Sequence, residues 1–493
     1  MKLKEIWGAL RRGGRTPLTF YNTASKAPER FELPPQAKEV RMYNCGPTVY
    51  GRQHIGNLSM FVFTDILRRT LEYNGFKVKQ VINITYLGHL SSDADEGEDK
   101  MTAGLKKEGL ELTLPNMKAL GEKYTNLFLE DVRTLNIRID DVTFPRASDH
   151  ISAEIAMVHT LEEKGYTYQT PHGVYFDTSR FPEYGKLGGI DLVGIRAGAR
   201  VVADTEKRSP TDFLLWKSDK NMGWDSQWGM GFPGWHIECS AMIRATLGQQ
   251  IDIHTGGIEH IPIHHNNEIA QSESATGKRP LSRFWMHRAH IQFEGGKMAK
   301  SEGNIVYLSD ILERGFHPLA LRYLFLTAHY RTSMSFSWEA LEGAQKAYAK
   351  LVARRLSLKT ATHVSAPPRW KRKFMRHIND DLDTPGALAK LWEMTRDTKL
   401  TDDELLAGLT DMDEVLGLNI AEPDALAREM AASEMREMVS QDSLPQNVRD
   451  LLKKREEARA KKEWPQADEF RVLIEGQGYE VEDTPEGPRV YKL

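Results

Sequence analysis

The chain of 493 residues contains only two cysteines, Cys45 and Cys239. That excludes a disulfide scaffold and points to a reducing cytosol. No apolar run approaches the roughly 20 residues that a membrane-crossing helix needs. The opening residues, MKLKEIWGALRRGG, lack the hydrophobic stretch of a secretory signal. Internal repeats and low-complexity blocks are also missing. There is no excess of positive charge, since Lys+Arg 66 against Asp+Glu 69 leaves a net charge of −3. Any nucleic-acid surface must therefore be a local patch.

What is present suffices for several cores. Apolar residues make up 40% and charged residues 27%, which excludes a disordered chain. At roughly 100–200 residues per domain, the length predicts about three to five domains. Residues 40–44 read as a strand that enters a turn-rich loop at 45–57. Leu58, Val62, Ile66, Leu67 and Leu71 then mark one stripe at helical spacing, closed by Gly75. Residues 78–84 read as a second strand. Strand, loop, helix and strand make a βαβ unit and imply a parallel sheet, whose ligands sit at the carboxyl ends of the strands. A second block has strands at 250–253 and 284–292 flanking a helix at 263–275. The aromatic and glycine-rich stretch 145–220 reads as an inserted domain. Beyond Leu308 the pattern is mainly helical, with linker signals at 358–371, Pro423 and Pro445. Ala458, Ala467, Phe470 and Ile474 support one more helix before a β-like tail.

Three groups carry chemistry. His54-Ile55-Gly56-Asn57 falls where the loop meets a helix N-terminus, whose free N–H groups and dipole favour phosphate. An imidazole and an amide add donors there, and Gly56 lets a flat base approach the backbone. Lys297 to Ser301, after Gly295-Gly296, suits electrostatic clamping of a triphosphate, although the same residues also read as a solvated basic turn. Six of the 16 histidines fall between 254 and 290. His264 and Glu268 stand at i and i+4 on one helix face, a nitrogen and an oxygen ligand that suit zinc. The two cysteines could complete the set; two unrelated buried thiols and a structural histidine pair fit the spacing as well.

In this order the pieces resemble the cysteinyl-tRNA synthetase family of class I aminoacyl-tRNA synthetases, from Leu18 to Leu493. The matching stretches are 42–50 with the HIGH-type element 54–57, 234–242 (GWHIECSAM), 264–272 (HHNNEIAQS) and the KMSKS-type loop 297–301. Shorter echoes lie at 184–187, 209–213, 380–385 and 483–487. The resemblance implies an α/β fold, with a split Rossmann-type parallel-sheet catalytic domain carrying an insert, then an α-helical bundle and a small mixed α/β C-terminal domain. Its expected boundaries are a lead-in at 1–37, catalytic halves at 38–144 and 221–307, and the insert at 145–220. A stem-contact region follows at 308–356, a helical bundle at 357–440 and an anticodon-binding domain at 441–493.

By the same resemblance Cys45, Cys239, His264 and Glu268 hold one zinc ion, and Thr85, Trp235 and Glu259 contact the substrate. His54, Gly56, Asn57, Lys297 and Lys300 bind ATP with its Mg2+, and all of these but Gly56 are catalytic. The expected partners are L-cysteine, ATP and tRNA(Cys), with no membrane; the expected state is a cytoplasmic monomer. Zinc selection is chemically sensible, because size alone separates cysteine from serine by a modest factor, whereas zinc prefers a thiolate to a hydroxyl. Departures from the family pattern are Asn57, Ala299, Glu259, Asn266, Phe232 and Tyr86-Leu87-Gly88-His89. They surround the pocket and remove no expected ligand or lysine. A cysteine ligase paralogue that passes cysteine to an amino-sugar is the nearest enzyme alternative. It would lack the C-terminal part, where residues 449–462 hold seven basic side chains against three acids and Trp464 follows. A decayed RNA-binding paralogue would have lost ligands or lysines, and both are intact.

Overall fold

The computed structural model describes residues 16–85, 100–189, 207–293, 296–297, 305–359, 362–435, 437–484 and 487–492. Strand β1 (Val40–Asn44) buries Val40, Met42 and Tyr43, then leads through a loop into helix α1 (Ile55–Tyr73) and strand β2 (Val78–Ile82). The helix stops at Asn74. Gly75 follows at φ +85°, and the N–H groups of Gly75 and Phe76 close on the carbonyls of Glu72 and Leu71, a left-handed stop that favours glycine.

Farther along come helix α2 (Trp235–Thr246), strand β3 (Ile251–Gly257), helix α3 (His264–Thr276) and strand β4 (Ser282–Arg288). The sheet order is β4-β3-β1-β2, with every pair parallel. The chain leaves β1 on one side and returns to lay β3 on the other, so the order reverses between β1 and β3. A crevice for ligands opens at the carboxyl ends there.

The strand expected at 250–253 continues to Gly257, because Thr255, Gly256 and Gly257 pair with Met286, His287 and Arg288. The strand expected at 284–292 is broken in two. After β4 ends at Arg288, Ile291–Phe293 joins a separate sheet with Gly296–Lys297 and Met334–Phe336. Inside the inserted stretch, Thr167–Thr170, Gly173–Phe176 and Phe213–Ser218 form an antiparallel sheet whose fourth strand, Gly231–Pro233, lies past residue 220. Val174, Phe176, Phe213, Leu215 and Trp216 share one core with Ile237 and Ala241 of α2 and Ala270 of α3. The insert thus braces the helices that bear the candidate ligands.

The apolar stripe of α1 is buried as its spacing predicts, and so is its opposite face, which carries Asp65, Arg68 and Arg69. Asp65 accepts from Arg69 Nε at 2.7 Å, Arg322 Nη2 at 2.6 Å and the Arg138 N–H at 3.0 Å. Arg322 also donates to the carbonyls of Leu416, Leu135 and Asn136. Burial alone would raise the Asp65 carboxyl, but Arg322 and Arg69 hold it below the ordinary value. This network ties α1 to helices Pro318–Leu326 and Asp402–Leu416.

A second compact unit comprises residues 346–358 and 422–493. Helices Gln446–Ala460 and Trp464–Glu475 cover a three-stranded antiparallel sheet around Val448, Leu452, Ile474, Val481 and Val490. The one helix expected around Ala458 to Ile474 is therefore two. Arg455 is buried and donates twice to Asp483, and Arg459 lies 3.0 Å from the same carboxylate. The seven basic residues counted in the sequence thus overstate the charge free at this surface. Lys453, Lys454, Lys461 and Lys462 remain exposed, as does Trp464.

Asp65→Asn leaves two buried guanidinium groups without their shared carboxylate. It is expected to cost about 3–5 kcal/mol, read as a lower urea midpoint; a cost below about 1 kcal/mol would contradict this account. With its carboxyl depressed in the fold, Asp65 contributes fully above the unfolded value of about 3.9 and is lost as pH falls through the folded value.

Candidate functional site

Cys45 follows directly on β1, and its N–H donates to the Thr255 carbonyl of β3 at 3.0 Å. The loop turns at Gly46, where a Cβ would lie 1.6 Å from the Asn83 carbonyl oxygen, so no other residue fits without moving the backbone. Cys239 comes from the second turn of α2, and His264 and Glu268 from the first turns of α3. Their four ligand atoms all lie within 4.8 Å of one another, and all four residues are buried. A second set, Cys45, His254, His265 and Glu268, meets the same criterion and shares two members with the first.

These groups stand in a chain of histidines. His264 Nε2 is 3.0 Å from Glu268 Oε1, and His254 Nε2 is 2.9 Å from Glu268 Oε2. His265 Nε2 lies 3.3 Å from Cys45 Sγ, and its Nδ1 lies 2.7 Å from His287 Nε2. His287 ends on the Thr23 hydroxyl at 2.8 Å. His260 packs against His264 and His265 with ring centroids 5.2 and 5.3 Å away. Gly256 makes room for these rings, since a Cβ there would meet His265 Cε1 at 2.6 Å.

The electrostatics follow from burial. A hydrogen bond from the Cys45 thiol and the neighbouring His264 pull the Cys239 thiol down to about 6, while burial pushes Cys45 well up. Burial opposes the charge of Glu268, yet His254 and His264 hold it down to about 2. Burial likewise opposes charging His264, but Glu268 and Cys239 raise it to about 10. Burial drives His260 and His265 well below their ordinary value and His287 to about 3. Cys239 and Glu268 thus both favour the anionic form side by side in a buried site, and Glu268 Oε1 makes no well-formed hydrogen bond. Two soft sulfurs, an imidazole and a carboxylate fit a zinc ion, which would replace the proton on His264.

Of this cluster and its histidine neighbours, Cys45 and His260 reach the wall of a cleft of about 520 Å3. The cleft wall includes Cys45, His54, Gly56, Asn57, Trp235, Glu259, His290 and Tyr307. His54 is the N-cap of α1, and its Nδ1 accepts the Asn57 N–H at 3.2 Å. That bond places the ring proton on Nε2 and orients the first turn at the cleft, where the Ile55 N–H donates to the Val306 carbonyl at 2.9 Å. Asn57 itself is exposed. The Trp235 ring lies 4.7 Å from the His264 ring. The Glu259 carboxylate lies 3.6 Å from His290 Nδ1. Thr85 stands apart from these wall residues. It is 2% exposed, accepts from Asn83 Nδ2 at 2.7 Å, and bridges to Thr48 through the backbone. The backbone of Lys297 pairs with Gln292. Lys300 and Ala299 lie outside the described residues, as do Tyr86 to His89.

Asn266 proves useful as an amide. It donates to the carbonyls of Ile261 at 2.7 Å and Leu187 at 3.3 Å, and accepts the Leu187 N–H at 3.2 Å. A carboxylate could not donate, so this residue fixes segment 184–187 against α3. His254, His265 and His287 carry the buried chain yet were given no role from the sequence; His254 and His287 had only the density of histidines between 254 and 290 as a signal, and His265 also its place in the 264–272 stretch.

The model of the class I (C) tRNA synthetase catalytic domain matches residues 32–346. Cysteine–tRNA ligase 1 of Burkholderia lata is 44% identical, with 97% of each chain covered. The cysteine–tRNA ligase of Thermus thermophilus is 42% identical over 96% of this chain and 98% of its own. That of Treponema denticola is 37% identical over 94% and 98%. Among solved structures, methionyl-tRNA synthetase of Mycobacterium tuberculosis in complex with methionyl-adenylate aligns with a TM-score of 0.53 at 15% identity. It covers 80% of this chain and 93% of its own, a likeness of fold. With the parallel sheet, its cleft and these relatives in hand, the chain belongs to the cysteine–tRNA ligases, enzymes of the class I aminoacyl-tRNA synthetase family.

Proposed function

We propose that the chain activates L-cysteine with ATP and transfers it to the 3′ end of tRNA(Cys), selecting cysteine by its thiol. The observation that carries this reading is the meeting of Cys45, Cys239, His264 and Glu268, with Cys45 also on the wall of the cleft that holds the α1 N-terminus. A zinc ion held by these four residues would supply a Lewis acid that favours a substrate thiolate over the serine hydroxyl. His254 steadies the Glu268 carboxylate through its second oxygen. Trp235 and Glu259 border the amino acid, the indole by packing and the carboxylate by attracting the α-ammonium group. Thr85 acts from behind, by fixing the 46–49 loop.

In the first step a carboxylate oxygen of cysteine attacks the α-phosphorus, and the bond to the β-phosphate oxygen breaks. His54 Nε2–H, the Asn57 amide and the α1 N-terminus stabilise the charge on the α-phosphate. Lys297 and Lys300 neutralise the departing pyrophosphate, which leaves with Mg2+. In the second step a terminal ribose hydroxyl of tRNA(Cys) attacks the activated carbonyl and AMP leaves. The exposed lysines of helix Gln446–Ala460 and Trp464 suit an anticodon strand through phosphate pairing and base stacking.

Labelled cysteine should charge a tRNA transcript bearing the GCA anticodon, and serine should not. Charging with both amino acids would defeat thiol selection. Adenylate formation without transfer to tRNA would favour a different amine acceptor. For the metal, His254→Ala is expected to weaken zinc affinity about 10–100-fold, and Glu268→Gln to weaken it further. Metal content by mass spectrometry reads this directly. Full zinc retention in Glu268→Gln would remove that residue from the ligand set.

A further inference from the structure

Strand β4 ends in two residues that face opposite ways, as strand pleating requires. His287 turns to His265 and the thiol cluster, whereas Arg288 turns to α1. Arg288 is 6% exposed, and its Nε donates to Ser59 Oγ at 2.9 Å. Ser59 in turn donates to the Gly56 carbonyl at 2.7 Å. The guanidinium lies over the Phe325 ring, 5.9 Å from its centroid. Four other arginines are buried, and each holds a carboxylate: Arg69 and Arg322 on Asp65, Arg68 on Asp141, Arg455 on Asp483. Among the described residues no carboxylate pairs with Arg288. Burial lowers its pKa only to about 10, so it stays charged at neutral pH.

A buried cation without a counter-ion is costly unless a ligand supplies the charge. Arg288 lines the same cleft as His54, Gly56 and Asn57. Its Nε is spent on Ser59, which leaves the two Nη groups as a planar fork suited to phosphate. Because it is anchored to α1, on the face of β4 away from the thiols, its anion belongs to the nucleotide rather than to the amino acid. We propose that Arg288 is a nucleotide-binding residue whose guanidinium receives a phosphate oxygen of ATP, and of the adenylate after it, beside the α1 N-terminus. This rests on the activation reading above.

The test compares Arg288→Met with the wild-type chain by titration calorimetry, using ATP, AMP, adenosine and L-cysteine as separate probes. The expected result is a loss of tenfold or more for ATP and AMP, and less than twofold for adenosine and cysteine. The melting temperature of the ligand-free variant should be equal to or higher than that of wild type, because an unpaired buried charge has been removed. A merely structural arginine would give the reverse pattern, lower melting temperature with unchanged nucleotide affinity, and would overturn the proposal. So would equal losses for adenosine and AMP, which mark a base contact, or a loss confined to cysteine. If Arg288→Met does not fold, Arg288→Lys makes the same comparison, keeping the charge but not the fork, and should lose part of the ATP affinity. Wild-type protein that binds neither ATP nor AMP would bring down the activation reading and this proposal with it, whereas normal wild-type binding with an unaffected variant brings down the proposal alone.

Discussion

The parallel pairing of β1 with β3 governs the cleft, because residues 211 positions apart, such as Asn44 and Thr255, become neighbours only through it. Asn44 Nδ2 donates to Thr255 Oγ1 at 2.6 Å just before Cys45, and the Cys45 N–H carries the pairing one residue farther. From that join, α1 departs on one side and α3 arrives on the other. The thiol of Cys45 therefore faces the ligands of α2 and α3, while the α1 N-terminus opens beside it. Any change that loosens β1 from β3 would separate the candidate metal donors and displace the α1 N-terminus together.

Three sets of buried charged groups are handled differently, and each marks a different role. The Asp65 carboxylate is saturated by two arginines and a backbone N–H, which makes it a joint between helices. Cys239 and Glu268 favour their anionic forms and His264 its cationic form, an arrangement that a divalent cation can take over. Arg288 is balanced by nothing among the described residues. Full saturation suits rigidity, whereas incomplete balance is where a ligand contributes most.

The sequence made the βαβ unit legible, because the α1 stripe and its glycine stop are local signals. It also carried the i, i+4 pair on α3. It could not show that the far face of α1 is buried, since the partners of Asp65 and Arg68 there include Arg322 and Asp141, far along the chain. The extension of β3 through Gly256 and Gly257 was hidden as well, because glycine is a weak strand former; here Gly256 clears space for the His265 ring and Gly257 for the Glu259 carboxylate. The roles of His254 and His265 were invisible, as both depend on partners from other elements. The basic run at 449–462 looked like free charge because Asp483 lies in a strand beyond the next helix.

The central claim is that two protein thiols, an imidazole and a carboxylate hold zinc so that a substrate thiol can join them. Zinc-edge X-ray absorption on the purified full-length protein tests it most directly. The account predicts two sulfur neighbours without amino acid, three with cysteine, and two again with serine. A zinc shell that keeps two sulfurs with cysteine bound, or metal-free protein that still prefers cysteine, would contradict it.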